Sequence, residues 1–198
     1  MDPTRERILY AALRLFAEKG YQSTSIADIL RAADAHSGSL YHSFPTKQEL
    51  LCAVLEAYRS GIEPMLLAPA WAGIEDPVER IFALLAAYRR ALEASDCTYG
   101  CPIGSLALEL HEPDPSVRGL LAANFDGWVT HVRSCLEAAR DRLPAAIDTH
   151  QLATLVLTTM EGGVMLARTH RTLAAFDSAV ATLRDYFNRL EAEARGAI

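Results

Sequence analysis

The sequence predicts an all-α protein, with an N-terminal three-helix domain followed by a larger helical bundle. Apolar residues recur at spacings of three and four along most of the chain, whereas the strict alternation typical of strands is nearly absent. Hydrophobic residues make up 51% of the composition, with only 11 Gly and 9 Pro, which favours helices. A chain of 198 residues buries a sizeable core and suits one or two domains.

The first predicted helix has a sequence signal at each end. Thr4 is placed to cap its N-terminus, and Gly20 supplies its C-terminal end. One apolar face runs along it, formed by Ile8, Ala11, Ala12, Leu15 and Phe16.

Residues 23–47 contain two short helices on a tight turn, which is the helix-turn-helix pattern. The first of them has Thr24 or Ser25 as its N-cap. Asp34 stands where the chain must reverse, and Asp tolerates the left-handed conformation better than most residues. The apolar stripe of this helix consists of Ile26, Ile29, Leu30 and Ala33.

The second short helix begins near His36 or Ser37 and turns Leu40 and Phe44 inward. Its outward residues carry small hydroxyls, a phenol and an imidazole, which suit a groove. These residues are Ser37, Ser39, Tyr41, His42 and Ser43.

A further helix begins at a capping-box pattern formed by Thr46 and Glu49, with Lys47 in its first turn. A cation at a helix N-terminus opposes the helix dipole. A phosphate that contacts both Lys47 and the exposed amides would resolve this conflict, and a solvated lysine is the alternative.

A change in composition marks a domain boundary near residues 61–77. Proline and glycine are concentrated there, which predicts the end of a connecting helix and then an irregular link. We therefore divide the chain into an N-terminal domain at 1–47, a connecting helix and link at 48–75, and a larger domain at 76–198. The residues that mark the boundary are Pro64, Pro69, Gly73 and Pro77.

The larger domain begins with a helix that Asp76 caps and Pro77 opens. A turn at residues 100–102 then leads into the next helix. The further helices are predicted over 103–110, from Asp114 to near Pro144, and over 148–170.

Residues 173–190 carry a narrow apolar seam at heptad spacing. Such a seam packs either within one chain or on a partner chain. The preceding helix holds Gly162 and Gly163 at its middle, where each costs about 1 kcal/mol relative to Ala. Close approach of another helix is expected to offset that cost. The seam residues are Leu173, Phe176, Val180, Leu183, Phe187 and Leu190.

The net charge of −6 argues against indiscriminate binding to nucleic acid. Residues 1–60 hold seven Lys and Arg and seven Asp and Glu, so the whole deficit lies in the remainder. No apolar run is long enough to cross a membrane, and we expect a cytoplasmic protein. The four cysteines lack C-x-x-C spacing, so neither a disulfide scaffold nor a metal site is predicted, and no cofactor is implied.

Residues 33–50 resemble the motif AGVSxGxLYxHFxxKxxL of the TetR/AcrR-type repressors. The agreement covers many positions, in order, within the predicted helix-turn-helix. The rest of the chain resembles the family only in the arrangement of its predicted helices. The matching residues are Ala33, Gly38, Leu40, Tyr41, Phe44, Lys47 and Leu50. Departures include Asp34 at the usual turn glycine, His36 at the usual capping serine, and Ser37 where a Lys or Arg is common.

The resemblance implies a transcriptional regulator, expected to repress, that binds a palindromic operator in double-stranded DNA. It implies a homodimer formed through the last two helices, with half-sites about one helical turn, ~34 Å, apart or a multiple of it. By resemblance, the DNA contacts are Thr24, Ser37, Ser39, Tyr41, His42 and Lys47.

The resemblance also implies a small-molecule effector in the larger domain, whose binding alters the spacing of the two DNA-reading heads. Large or adaptable side chains on the middle helices are the candidate pocket residues, and plain core packing is the alternative for each. These candidates are Phe82, Tyr88, Phe125, Trp128, His131, Met160 and Met165.

Cys101 lies in a G-C-x-x-G turn, which resembles a turn in electrophile- and oxidant-sensing members of the same family. A thiolate at this position, immediately before a predicted helix, is a candidate trigger for release. The alternative is a buried and inert thiol.

A different class of function is an all-helical ligand-binding protein or enzyme without a DNA role. Glu109, His111 and Glu161 are the residues that suggest it. Glu109 and His111 are two positions apart on a helix and therefore point different ways. A pure scaffold, the third class, leaves the outward hydroxyls and Tyr41 unexplained.

Overall fold

The computed structural model describes residues 3–196, and every secondary-structure element within that range is helical. The all-α prediction is therefore confirmed, while Met1–Asp2 and 197–198, at the ends of the predicted domains, lie outside the described residues. The helices are α1 (Pro3–Lys19), α2 (Ile26–Ala33), α3 (Ser37–Ser43), α4 (Lys47–Ile62), α5 (Ala68–Trp71), α6 (Pro77–Ala94), α7 (Pro102–Glu109), α8 (Pro115–Ala138), α9 (Thr149–His170) and α10 (Ala174–Ala194).

The chain divides into two compact units, which do not follow the predicted boundaries at residues 47 and 75. The first unit contains the described residues up to Ser60 together with Cys101–Asn124, so it includes α4, α7 and the beginning of α8. The second unit contains Gly61–Gly100 and the described residues from Phe125 onward. This division depends on which segments pack together in the folded chain, and composition alone does not indicate that packing.

Within the first unit, specific hydrogen bonds join α4 to α1 and α8 to α4. The Tyr58 hydroxyl on α4 donates to the Leu13 carbonyl on α1. The amide of Asn124, buried on α8, donates to the Leu55 carbonyl on α4. These bonds satisfy polar groups that would otherwise be buried at a cost, and they fix α4 against α1 and α8.

The predicted irregular link is largely helical, so that prediction is wrong for residues 61–71. A π-helical turn at Glu63–Leu67 follows α4 directly and leads into α5. In this turn the Ala68 N–H bonds to the Glu63 carbonyl, a five-residue spacing that widens the helix. Such widening accommodates Pro64, which has no N–H to donate, so the prolines here did not end the helix.

The second unit has its core between α6, the later part of α8, α9 and α10. Phe82 on α6 and Phe187 on α10 meet edge to face with ring centroids 5.3 Å apart. The Arg142 guanidinium joins the Asp76 carboxylate that caps α6 to Glu191 on α10. The predicted start of α6, with Asp76 as N-cap and Pro77 first, is confirmed.

The heptad seam of α10 closes within the second unit. Phe176 and Phe187 are 1% exposed, and both pack in the same buried cluster as residues of α6 and α9. The alternative in which the seam packs inside one chain is therefore the one observed. The buried seam is therefore not available to a partner chain.

The two mid-helix glycines of α9 have different surroundings. A Cβ added at Gly163 would lie 2.9 Å from Phe176 Cδ2 and 3.3 Å from Phe176 Cα. A Cβ added at Gly162 would meet no atom within 4 Å. The expected close helix approach is thus present at Gly163, where α10 begins, and not at Gly162.

Within residues 3–196, no helix combines the length and apolar character needed to cross a lipid bilayer.

We predict that Gly163→Ala lowers the free energy of unfolding by about 1–3 kcal/mol, because the new methyl group overlaps the Phe176 backbone and ring. Gly162→Ala is the matched control and should leave that free energy unchanged or raise it by up to about 1 kcal/mol. Urea unfolding followed by circular dichroism at one protein concentration measures both. Equal effects of the two substitutions would contradict the packing described here.

Candidate functional site

The helix α3 presents a polar face because its apolar side chains are anchored in the first unit. Leu40 is fully buried and Phe44 is nearly so, and the Arg5 guanidinium lies 4.8 Å from the centre of the Phe44 ring. On the outer side, Tyr41 is 52% exposed. Ser37 and His42 are exposed with it, and Ser39 is half-buried. These four predicted contact residues therefore lie together on one short helix.

The turn between α2 and α3 is held at its carbonyl groups. Arg7 on α1 donates through Nε to the Ala33 carbonyl at 3.0 Å and through Nη2 to the Asp34 carbonyl at 3.1 Å. Asp34 adopts the left-handed conformation, with φ 47° and ψ 56°, as the sequence predicted for this position. His36 is the N-cap of α3 and makes no side-chain capping bond.

Ser25, rather than Thr24, is the N-cap of α2. Its hydroxyl accepts from the Asp28 N–H, and the Ser25 N–H donates to the Asp28 carboxylate, which completes a capping box. Hydrogen bonds from the Ser25 hydroxyl and then from its N–H hold the pKa of Asp28 below its usual range.

Thr24 does not serve as a phosphate contact, which corrects the prediction for that residue. Its side chain is fully buried. Its hydroxyl donates to the Gly20 carbonyl at 2.7 Å, with the Leu15 carbonyl at 3.3 Å as a second acceptor. These hydrogen bonds offset the cost of burying the hydroxyl.

Lys47 is half-buried in the first turn of α4, where the sequence predicted a phosphate clamp. Its Nζ donates to the Tyr21 carbonyl at 2.6 Å and lies 4.2 Å from the centre of the Tyr21 ring. Burial lowers the pKa of the Lys47 ammonium, and the neighbouring Glu109 carboxylate opposes that lowering. Lys47 therefore has an intrachain acceptor as well as a position beside α3.

Glu109 makes a contact that sequence analysis missed. Its two carboxylate oxygens accept from the Tyr21 N–H at 2.8 Å and the Gln22 N–H at 2.7 Å, in the loop between α1 and α2. The sequence indicates Glu109 only as half of a possible acid–base pair. The signal available was an acidic residue at the end of a short helix, where the dipole disfavours it.

The predicted effector residues do not form one group. Trp128 and Met160 are buried in the core of the second unit, and Tyr88 packs against that core. Phe125 and His131 on α8 are half-buried.

Met165 is 49% exposed, so the prediction that it faces inward is wrong. Five residues turn a helix by about 500°, so Met165 and the buried Met160 face directions about 140° apart. Their spacing in the sequence therefore already indicates that the two methionines cannot face the same pocket.

Phe82 lines an open groove of about 600 Å³ on the second unit, and the other predicted effector residues do not line it. The Arg184 guanidinium lies over the Phe82 ring and pairs with the Glu79 carboxylate at the groove. Phe82 also contacts Phe187 in the core. The groove is open to solvent rather than an enclosed cavity.

Cys101 belongs to the first unit, unlike the other candidate effector residues. It immediately precedes α7, as predicted, where it is the N-cap residue, and it is 6% exposed. Burial raises the pKa of the Tyr58 phenol, and the nearby Cys101 thiol raises it further.

The side chains that suggested an enzyme are not assembled into an acid–base site. Glu109 binds backbone amides, and His111 is exposed in the segment after α7. Across the described range, 3–196, no group of three or more His, Cys, Asp or Glu side chains is arranged to hold a metal ion.

The first unit thus has the form of a helix-turn-helix DNA-binding head, with a polar recognition helix on an apolar base. The chain belongs to the tetR family of bacterial regulatory proteins, whose N-terminal model matches residues 8–54. Residues 77–182 match a second model, the C-terminal domain of LmrA/YxaF-like transcriptional regulators. It is a transcriptional regulator with a DNA-binding role, and the proteins it matches are regulators rather than enzymes.

Relatives and solved structures match nearly the whole chain. An HTH-type transcriptional regulator of Mycobacterium tuberculosis (strain ATCC 25618 / H37Rv) is 32% identical over 93% of this chain and 94% of its own. The HTH-type transcriptional repressor DhaR of Mycobacterium sp. (strain GP1) is 26% identical over 88% and 87%. The crystal structure of a TetR transcriptional regulator from Chloroflexus aurantiacus J-10-FL superposes with a TM-score of 0.81, at 31% identity over 93% and 94%.

We predict that Asp34→Gly raises the free energy of unfolding by about 0.5–1 kcal/mol, because glycine adopts the left-handed conformation without a Cβ penalty. Asp34→Ala should lower it by about 1 kcal/mol, since alanine keeps the penalty and lacks the tolerance of Asp. The Arg7 bonds go to backbone carbonyls and are retained in both variants. In thermal unfolding, the melting temperature should rise in the order Ala, Asp, Gly at residue 34. Equal stability of the Ala and Gly variants would contradict this prediction.

Proposed function

We propose that this chain is a homodimeric repressor that binds a palindromic operator and is released by a small molecule or a thiol-reactive compound. The observation that carries the proposal is the polar face of α3, held outward by the burial of Leu40 and Phe44. The relative DhaR, described as a repressor, supports repression as the direction of control. Such a regulator acts in the cytoplasm, where the operator is accessible.

The α3 face suits the major groove. Ser37, Ser39, Tyr41 and His42 offer hydrogen-bonding groups to phosphates and base edges. Next to them, a Cβ added at Gly38 would meet no atom within 4 Å, so nothing inside the chain requires a glycine there. Close approach of a duplex to the backbone at this position provides a reason for it.

Lys47 remains a proposed phosphate contact, although it also binds within the chain. An ammonium carries three N–H donors, and one of them reaches the Tyr21 carbonyl. The other two N–H groups of the ammonium remain for a phosphate. Lys47 is in the first turn of α4, where the backbone amides also attract an anion. A phosphate at this position would therefore contact a cation that the loop already orients.

The proposed dimer uses the outward faces of α9 and α10, because the heptad seam is already buried within the chain. Apolar side chains remain exposed on these faces, and a second copy would cover them. They are Leu155, Met165 and Leu166 on α9 and Tyr186 on α10. A two-fold axis through such an interface relates two α3 helices, which accounts for a palindromic operator.

The proposed effector carries a hydrogen-bond acceptor. Trp128 is 4% exposed, and its indole N–H has no acceptor within hydrogen-bond distance in residues 3–196. Leaving such a donor buried and unbonded costs about 1–3 kcal/mol. A ligand oxygen placed at this nitrogen would recover that energy. Release from DNA then requires that this bond form only in the conformation that does not bind the operator.

We predict that His42→Ala weakens binding to the operator by roughly tenfold, as expected for loss of one specific contact. His111→Ala is the matched control, because His111 is also exposed in the first unit but lies outside α3, and it should leave affinity unchanged. Fluorescence anisotropy on a labelled operator, selected from random duplexes, measures both across a salt series.

The same assay tests the palindrome and the dimer. A duplex with both half-sites should bind two chains with high affinity, and a duplex with one half-site should bind far more weakly. Binding that never exceeds that to scrambled DNA, at any salt concentration, would contradict the proposed function.

We predict that a small thiol reagent releases the wild-type protein from its operator and that Cys101→Ser abolishes this release. Cys52→Ser is the control, since Cys52 is the more exposed thiol of the first unit and is expected to label without changing DNA affinity. Mass spectrometry of the native protein reports which thiol has reacted. Release that persists in the Cys101→Ser variant, or a Cys101 that stays unlabelled, would remove the thiol part of the proposal and leave the small-molecule part.

A further inference from the structure

The loop between α1 and α2, residues 20–25, is held from two sides. The Lys47 ammonium on α4 binds the Tyr21 carbonyl, and the Tyr21 ring packs edge to face on Phe16 with centroids 5.3 Å apart. The Glu109 carboxylate at the end of α7 binds the N–H groups of Tyr21 and Gln22. The loop is therefore fixed both by α4 and by α7, a helix of the same unit that lies more than 80 residues further along the chain.

Gly20 supplies an independent observation that the carboxylate belongs in this position. A Cβ at Gly20 would lie 2.7 Å from Glu109 Oε2 and 2.9 Å from Oε1, inside van der Waals contact. Gly20 also has φ +85°, which glycine adopts without strain. The backbone here admits the carboxylate only because residue 20 has no side chain.

The loop determines where α2 begins. Thr24 donates to the Gly20 carbonyl, and the Thr24 N–H donates to the Tyr21 carbonyl, so the loop residues are bonded to one another. Ser25 follows immediately as the N-cap of α2. A displaced loop would therefore shift the start of α2, and α2 in turn carries the turn into α3.

We infer that Glu109 is a positioning residue for DNA binding: through its carboxylate, α7 holds the α1–α2 loop in the geometry that the operator requires. This inference rests on the proposed function and adds the route by which α7 acts on the DNA-binding head. Hydrogen bonds from N–H groups to a carboxylate are about twice as strong as neutral ones, so a single side chain suffices. Movement of α7 that withdraws Glu109 would loosen the loop and lower operator affinity.

The sign of the effect distinguishes this role from general electrostatics. Removing a negative charge near DNA should strengthen binding, because repulsion of the phosphates is reduced. Loss of a positioning carboxylate should weaken binding instead. A weaker affinity in a Glu109 variant is thus opposite to the effect of charge alone.

The test uses Glu109→Gln, Glu109→Asp and Glu109→Ala in the full chain, with Glu112→Gln as a control for the charge. Glu112 is exposed three residues further on and outside α7. We expect Glu109→Ala to weaken operator binding by roughly tenfold or more, with the Gln and Asp variants less affected, and Glu112→Gln to bind as well as wild type or slightly better. Thermal unfolding by circular dichroism confirms that each variant is folded.

Hydrogen exchange provides a readout that does not depend on DNA. The Tyr21 and Gln22 amides should exchange at least tenfold faster in Glu109→Ala, while amides in α4 and α9 are unchanged. Unchanged exchange at Tyr21 and Gln22 would overturn the anchoring contact. Faster exchange with unchanged or tighter operator binding would overturn its role in DNA binding.

A wild-type protein that binds no operator would contradict the proposed function, and with it the DNA-binding role of Glu109, while the exchange experiment still decides whether the contact exists.

Discussion

The DNA-binding head depends on the burial of two side chains, Leu40 and Phe44. The helix α3 that carries them has seven residues, whereas isolated helices shorter than about 12–15 residues are marginal in water. Both side chains are almost completely removed from solvent, and Arg5 covers the Phe44 ring. Tertiary packing therefore stabilises this helix, and its outer face can carry Ser, Tyr and His, which are poor helix formers.

The turn before α3 lacks the glycine and the capping serine that are usual in the family, and the structure compensates at the backbone. Asp34 occupies the left-handed conformation, and Arg7 donates to the carbonyls of Ala33 and Asp34. These bonds satisfy two of the carbonyl groups that a helix end leaves without intrahelical donors. Because the contacts are to main-chain atoms, they constrain the course of the chain whatever side chain stands at residue 34.

Features set by neighbouring residues were predictable from the sequence, and features set by distant ones were not. The cap at Asp76 and the start of α7 after Cys101 follow from local chemistry, and both are confirmed. The contact between Glu109 and Tyr21 joins residues 88 positions apart, so no local pattern indicates it. Thr24 is the predicted DNA contact that the structure buries. Its hydroxyl bonds to carbonyl groups of the preceding helix and loop, and the periodicity of apolar residues does not show where those carbonyls lie.

Two charges in the head lie at helix ends where the dipole disfavours them. Lys47 stands at the N-terminus of α4 and Glu109 at the C-terminus of α7, so each helix would be more stable alone without its charge. Both charges are directed at the same peptide segment, with Lys47 on the Tyr21 carbonyl and Glu109 on the Tyr21 and Gln22 N–H groups. The cost at two helix ends is thus offset by one ordered loop, on which both charges act.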